Sequence, residues 1–151
     1  MDLTANSSPE WALDPQLARD TVLIGDLALC RVLLMNDSNF PWLILVPRRL
    51  RIFELIDLDR SEQVQLMAEI ASTSEALRAL APCDKLNIAA IGNVVSQLHV
   101  HIVARRRSDR AWPKPVWGVK PSAPYEKAQQ RAFLESLRQS LKPEGLIVID
   151  R

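Results

Sequence analysis

The sequence predicts an α+β domain with a mainly antiparallel sheet, one long crossing helix and a C-terminal helix. Two apolar segments, Thr21–Ile24 and Leu27–Met35, flank the turn-forming pair Gly25-Asp26 and indicate a hairpin. The continuous apolar run Trp42–Val46 is typical of a central strand that is buried on both faces. Apolar residues at helical spacing between about 60 and 80 predict the long helix. Sequential strands crossed by one long helix are the pattern of an α+β fold.

The first part of the chain carries local start and stop signals. Residues 1–8 look polar and we expect them to be frayed. Asp14-Pro15 combines an N-cap with a proline at the first helical position, which predicts a short helix to about Arg19. Residues 36–39 are turn formers and predict a loop before the central strand, which Pro47 is expected to end.

The long helix has a predicted start, stop and buried face. Asp59-Arg60-Ser61-Glu62 resembles a capping box, and Pro82 is expected to stop the helix. We expect its apolar stripe to pack on the sheet. The stripe consists of Val64, Met67, Ile70, Ala71, Ser74 and Leu77.

The second half of the chain predicts two more strands and a helix. Lys85–Ile91 is a strand, Gly92-Asn93 a turn, and Val94–Ala104 the strand that carries both histidines of the chain. Residues 105–121 form a long irregular segment whose two tryptophans favour docking over disorder. A last helix is predicted from Pro124 to about Leu141. The apolar tail after it would be an added strand or a contact with another subunit.

Length and composition favour one domain. Its predicted parts are an N-terminal extension (1–19), the central region, the Trp/Pro-rich loop (105–121) and a C-terminal helix and tail (122–151). The net charge of +1 argues against a general nucleic-acid binder. Two distant cysteines indicate a reducing interior. Without a leader or an apolar run near the ~20 residues of a membrane helix, we expect a cytoplasmic protein.

The histidine segment is the main candidate for chemistry. In a strand, Gln97, His99 and His101 point to one face, while the apolar residues between them face the other way. One alternative is a polar strand face without chemistry. Another is a metal pair, which lacks a third nearby ligand. Phosphoryl chemistry suits the group better, because an imidazole can attack phosphorus and hold the transferred group covalently. The following Arg105 would then stabilise phosphate charge, unless it is only a solvated cation.

The segment Gln97–Val103 resembles the motif of the histidine triad (HIT) family, His-φ-His-φ-His-φ-φ, with the first His replaced by Gln. Val46-Pro47-Arg48 resembles the end of the family's central strand, and Asp59–Leu80 its long crossing helix. Gly92-Asn93 stands where the family has Gly-Gln. The stretch from Gln97 to Gly118 is similar to a bacterial branch that carries this Gln. The resemblance implies a HIT-like fold and covers roughly residues 20–118.

The resemblance implies a homodimer that hydrolyses or transfers nucleoside monophosphates through a nucleotidyl-histidine intermediate. Its substrates would be dinucleoside polyphosphates or nucleotide phosphoramidates. No cofactor is implied beyond Mg²⁺ associated with the substrate. The family nucleophile falls on His99, and the phosphate contact and proton partner falls on His101.

The substrate-binding residues carry over in the same way. The phosphate-binding amide falls on Asn93, and the residue that holds the ribose hydroxyls on Asp37, with Asn36 as the alternative. Leu34 and Trp42 would wall the base pocket, although Trp42 is equally well explained as core.

Three departures from the family pattern keep other functions open. Gln97 replaces a His, Val94 stands where a hydroxyl residue is common, and Trp42 stands where many members have a further His. The protein is therefore either an enzyme or a nucleotide-binding module with little or no catalysis. A third alternative is an interaction protein that docks through the Trp/Pro-rich loop.

Overall fold

The computed structural model describes residues 10–149 and contains five strands. The strands are β1 (Thr21–Asp26), β2 (Cys30–Met35), β3 (Trp42–Pro47), β4 (Lys85–Ala89) and β5 (Val100–Arg105). They form one antiparallel sheet in the order β1-β2-β3-β5-β4. The helices are α1 (Pro15–Asp20), α2 (Arg60–Leu80) and α3 (Lys127–Leu141), with 3₁₀ turns at Leu55–Asp57 and Lys142–Glu144. The predicted α+β class is confirmed.

Two of the three predicted helix starts, those of α1 and α2, are confirmed by their capping bonds. The Asp14 carboxylate accepts a hydrogen bond from the Gln16 backbone N–H at 2.8 Å and begins α1. At α2, Asp59 accepts from the Glu62 N–H while the Glu62 carboxylate accepts from the Asp59 N–H, which completes the capping box. The third helix begins at Lys127, three residues after the predicted Pro124. The expected fraying of residues 1–8 lies outside the described residues.

The predicted turn at Gly25-Asp26 is wrong, because β1 continues through both residues. The register of β1 against β2 shifts between Leu23 and Gly25, and residues 27–29 make the turn instead. The Asp26 N–H and carbonyl pair with Ile147, so the C-terminal tail adds a short bridge to β1. A Cβ at Gly25 would lie 2.6 Å from the Ile147 carbonyl oxygen, so only glycine allows this approach.

The buried face of α2 differs from the predicted stripe. Ile70, Ser74 and Leu77 are buried as expected, but Val64 and Met67 are 72% and 64% exposed. Helical spacing alone does not show which of two apolar stripes faces the sheet. The remaining members of the buried face are Leu66, Glu69, Thr73 and Ala76.

The histidine strand is shorter than predicted, because β5 begins at Val100 and not at Val94. Gln97 forms a bend ahead of it, and the Leu98 N–H donates to the Ile52 carbonyl. Gly92 has a φ of +73°, consistent with the predicted turn after β4. Gln97 and His99 therefore approach the sheet from a loop.

Two apolar clusters cover the two faces of the sheet. One packs strands β1, β2, β3 and β5 against α2 and α3. The other contains Trp42 and Val103 and is covered by Leu17 of α1 and Val116 of the Trp/Pro-rich loop. The predicted docking of that loop is confirmed by the burial of Val116. No helix in residues 10–149 is long and apolar enough to span a membrane.

Candidate functional site

The two imidazoles lie side by side where the loop enters β5. The ring centroids of His99 and His101 are 4.8 Å apart, with the rings at 72° to each other. Their exposed fractions are only 7% and 5%. The alternation of side chains in extended backbone puts both rings on the face covered by the Trp/Pro-rich loop. The predicted proximity of His99 and His101 is confirmed.

One nitrogen of His99 is hydrogen-bonded, and the other has no hydrogen-bond partner within residues 10–149. His99 Nδ1 lies 2.7 Å from the Gln97 carbonyl oxygen. Because a carbonyl oxygen can only accept, Nδ1 carries the proton and donates it. The lone pair of the neutral ring then resides on Nε2. His99 lines a cavity of about 290 Å³ together with Gly92, so this ring can present a nucleophile or base to a ligand.

His101 is held in the opposite tautomer. The Trp42 indole N–H donates to His101 Nδ1 at 3.0 Å. An indole nitrogen is only a donor, so Nδ1 must be unprotonated and the ring proton resides on Nε2. Burial, with a smaller contribution from His99, lowers the pKa of His101 to about 4. At neutral pH His101 is therefore an uncharged donor through Nε2.

A third aromatic side chain completes the group around His101. Trp117 stands edge-on to His101 with centroids 5.2 Å apart, and edge-on to Trp42 at 6.0 Å. Trp117 was not among the predicted site residues. The only sequence signal was its position in the Trp/Pro-rich loop. The loop therefore builds part of the site on its own chain.

A second cavity, of about 340 Å³, adjoins the two tryptophans. Asp37 and Asn36 line it, as the resemblance implied. The Asp37 carboxylate is buried, and its Oδ1 accepts from the backbone N–H groups of Asn39 and Ala123. Within residues 10–149 no donor contacts its Oδ2, which is therefore the oxygen left for a ligand. The Asn36 side-chain carbonyl accepts from the Tyr125 N–H, so Asn36 also ties the cavity to the segment before α3.

Three predicted substrate-binding residues, Leu34, Arg105 and Asn93, line neither cavity. Leu34 is fully buried in the cluster beneath α2 and α3, on the opposite face of the sheet. Met35, one residue later, lines the second cavity instead, because neighbouring residues of a strand point to opposite faces. The prediction that Leu34 walls the base pocket was therefore wrong. Apolar residues occupy both faces of β2, so the sequence does not show which of them faces the cavity.

The prediction that Arg105 binds the substrate phosphate is also wrong. It is 1% exposed, and its guanidinium donates to both carboxylate oxygens of Asp109, to Asn87 and to the Lys114 carbonyl. Four of its five N–H groups are therefore occupied, so it anchors the Trp/Pro-rich loop and does not serve a substrate phosphate.

The last two predicted residues, Asn93 and Gln97, do not line the His99 cavity, but each is adjacent in sequence to a residue that does. Asn93 is exposed in the turn next to Gly92, which lines that cavity. Gln97 sits at the bend, but its side-chain amide bonds to the backbone of Ala12 and Asp14. No group of three or more His, Cys, Asp or Glu side chains in residues 10–149 is arranged to hold a metal ion.

Because His101 is neutral in the folded protein, the stability of the fold is predicted to depend on pH. Because its pKa in the folded protein lies below the unfolded value of about 6.5, the unfolded chain binds more protons between these values. The contribution of His101 to the free energy of unfolding is therefore greatest above about pH 6.5, and it decreases as the pH falls toward 4. Urea unfolding at several pH values is expected to show a shallower acid dependence in His101→Gln than in wild type. Identical slopes would contradict the assignment.

Fold and site together define a small α+β domain with a histidine-centred pocket. The sequence profile of the HIT domain family matches residues 16–108. A histidine triad protein of Bradyrhizobium japonicum is 52% identical, with a TM-score of 0.86 over 87% of this chain and 98% of that one. One from Marinobacter aquaeolei is 43% identical, with a TM-score of 0.86 over 89% and 98%.

A third solved structure, a histidine triad protein of Sinorhizobium meliloti, is 42% identical, with a TM-score of 0.84 over 87% of this chain and 97% of that one. Comparison with curated protein sequences gives no significant match. The chain belongs to the HIT domain family. This membership supports a nucleotide-binding, hydrolase or transferase role in general terms.

Proposed function

We propose that this protein is a nucleotide hydrolase or transferase that works through a nucleotidyl-histidine intermediate at His99. The observation that carries the proposal is the Nδ1–H bond of His99 to the Gln97 carbonyl, which leaves the Nε2 lone pair directed elsewhere. A neutral imidazole of this tautomer is the form that attacks phosphorus. The proposal is also supported by family membership.

In the proposed first step, His99 Nε2 forms a bond to the phosphorus of a nucleoside monophosphoryl group. The bond from phosphorus to the leaving group breaks, and its electron pair departs with the leaving oxygen or nitrogen. His101, with its proton on Nε2, would donate a hydrogen bond to the phosphoryl oxygen or to the leaving atom without adding charge. In the second step water, or another acceptor, displaces the histidine and takes the nucleotidyl group.

The second cavity would hold the nucleoside. The free Oδ2 of Asp37 can accept from ribose hydroxyls, and Met35, Trp42 and Trp117 supply apolar and aromatic walls for a base. Asn93, in the exposed turn, would contact phosphate. The substrate would be a dinucleoside polyphosphate or a nucleotide phosphoramidate. We place the reaction in the cytoplasm, with no cofactor other than Mg²⁺ accompanying the substrate.

Intact-mass spectrometry tests the proposal. The protein is incubated with a panel of dinucleoside polyphosphates and nucleotide phosphoramidates and then quenched in mild base, where a phosphorus–nitrogen bond survives. We expect a species heavier by one nucleoside monophosphoryl group, absent from His99→Asn. If the panel gives neither an adduct nor turnover, the proposal that the protein is an enzyme is rejected.

The second candidate is a nucleotide-binding module without catalysis. The exposed Val94 favours it, because this side chain provides no hydroxyl for a phosphate at the turn before the histidines. This alternative predicts that AMP or GMP binds, as measured by calorimetry, while no covalent species forms. The mass and binding experiments together separate the two functions.

We also propose that the protein is a homodimer formed through β4 and the outer face of α2. Strand β4 is an edge of the sheet, and Ile88 on it is 48% exposed. Val64 and Met67 of α2 and Ile56 nearby are 64% to 85% exposed. Ile56, Met67 and Ile88 line one mainly apolar cavity of about 340 Å³, and Val64 lies one turn before Met67 on the same helix. An open apolar edge strand is a liability that a second copy would cover.

The double substitution Met67→Glu, Ile88→Glu is expected to convert the dimer into a monomer, because charges would be buried at the two-fold contact. Light scattering coupled to size exclusion measures the mass directly. Val148→Glu, at an exposed apolar residue of the C-terminal tail, is the matched control and should stay dimeric. A wild-type protein that is monomeric in this measurement would contradict the proposed homodimer.

A further inference from the structure

Gln97 connects two parts of the molecule that are far apart in the chain. Its side-chain Oε1 accepts from the Asp14 N–H at 2.9 Å, and its Nε2 donates to the Ala12 carbonyl at 2.9 Å. One amide therefore satisfies two backbone groups that flank Leu13. Both hydrogen bonds of this side chain are therefore made to the N-terminal segment, residues 11–14.

The segment that Gln97 holds is itself firmly seated. The Arg31 guanidinium lies over the Trp11 ring, 4.9 Å from its centroid. Leu13 packs against the same apolar cluster as Trp42 and Leu17. Asp14 also caps α1 through the Gln16 N–H. Residues 11–14 thus offer Gln97 a fixed partner, and the bond constrains the bend that precedes β5.

The backbone of Gln97 faces the chemistry. Its carbonyl oxygen is the acceptor for His99 Nδ1–H, at 2.7 Å. Side chain and carbonyl belong to one residue, so the two bonds of the amide limit how far the Gln97 backbone can move. We infer that Gln97 is a positioning residue, which uses the N-terminal segment 11–14 to keep His99 in the tautomer with a free Nε2. The inference rests on the proposed role of His99 as nucleophile.

The chemistry of the side chain explains why an amide stands here. A primary amide carries its donor and its acceptor on one carbon, so both can meet backbone groups on either side of a single residue. The two nitrogens of an imidazole point away from each other across the ring. A carboxylate can accept from Asp14 but has no hydrogen to give to Ala12. The first motif position is therefore adapted to the N-terminal segment in this chain.

The tautomer can be measured without any substrate. With only two histidines, ¹⁵N-histidine labelling gives a simple spectrum in which Nδ1 and Nε2 shifts report the protonated nitrogen. In the wild type we expect the neutral His99 ring as the Nδ1–H tautomer. In Gln97→Ala the two nitrogen shifts of His99 should move toward each other, as both tautomers become populated. The His101 shifts are the internal reference, because Trp42 holds that ring independently.

Activity supplies the second readout. Gln97→Ala is expected to lower kcat about 10-fold with KM nearly unchanged, as for partners that orient a reacting ligand. Gln97→Glu keeps the side-chain length and one of the two bonds, so its His99 shifts and kcat should be intermediate. It replaces the alanine variant if that one does not fold. Gln139→Ala, an exposed amide on α3, is the matched control and should equal wild type.

Unchanged His99 shifts in both Gln97 variants would overturn the inference, whatever the enzyme does. If the His99 shifts change in the Gln97 variants but the wild type shows no turnover, the positioning role of Gln97 stands and only the proposed reaction is rejected. Loss of kcat with unchanged His99 shifts would also overturn it, because Gln97 would then act by another route.

Discussion

Replacing His99 by asparagine is expected to abolish nucleotide turnover while nucleotide binding persists. Asparagine fills similar space and can still donate to the Gln97 carbonyl, but its side chain has no basic lone pair with which to attack phosphorus. Loss of a covalent nucleophile costs roughly 10⁴-fold or more in kcat. Steady-state turnover of the best substrate from the panel measures the rate, and calorimetry with the nucleoside monophosphate measures affinity.

The comparison variant is His101→Asn, which removes the proposed donor and keeps the nucleophile. It should react more slowly than wild type but still form the covalent adduct, whereas His99→Asn should form none. Turnover of His99→Asn within about tenfold of wild type would place the nucleophile elsewhere. Loss of nucleotide affinity in the same variant would instead show that His99 contributes mainly to binding.

The largest effect on stability is expected at Glu69, which no catalytic proposal involves. Its side chain is buried, and its two oxygens accept from the backbone N–H groups of Leu29 and Cys30 at 2.7 and 2.8 Å. This bond pair ties α2 to the β1–β2 turn. Burial and the neighbouring Glu69 raise the pKa of the Cys30 thiol, so Cys30 stays protonated beside the carboxylate.

Glu69→Ala is expected to lower the free energy of unfolding by about 3–5 kcal/mol, because two buried N–H groups lose their acceptor and a cavity remains. Glu69→Gln retains one acceptor and should lose about 1–3 kcal/mol. Urea unfolding analysed by linear extrapolation measures both. Glu75→Ala, an exposed carboxylate on the same helix, is the matched control. A loss at Glu69 no larger than at Glu75 would contradict the tie between α2 and the turn.

Local signals predicted the framework and the central pair of the site. Asp14 and Asp59 act as caps because their partners lie two or three residues away. His99 and His101 share a face because alternation in extended backbone needs no distant information. The assignment of Leu34 failed because β2 is apolar on both faces, and only packing shows that Met35 faces the cavity.

The sequence by itself determined the fold class, the starts of α1 and α2 and the proximity of the two histidines, because these depend on neighbours a few residues apart. Tertiary structure alone decided which partner each of these side chains contacts. Trp42 meets His101 across 59 residues, and Gln97 meets the N-terminal segment across 83 to 85. Arg105 was predicted to bind phosphate, yet the loop that it anchors occupies its guanidinium. Hydrogen-bonding groups accept any complementary partner, so only the folded chain determines which partner each one meets.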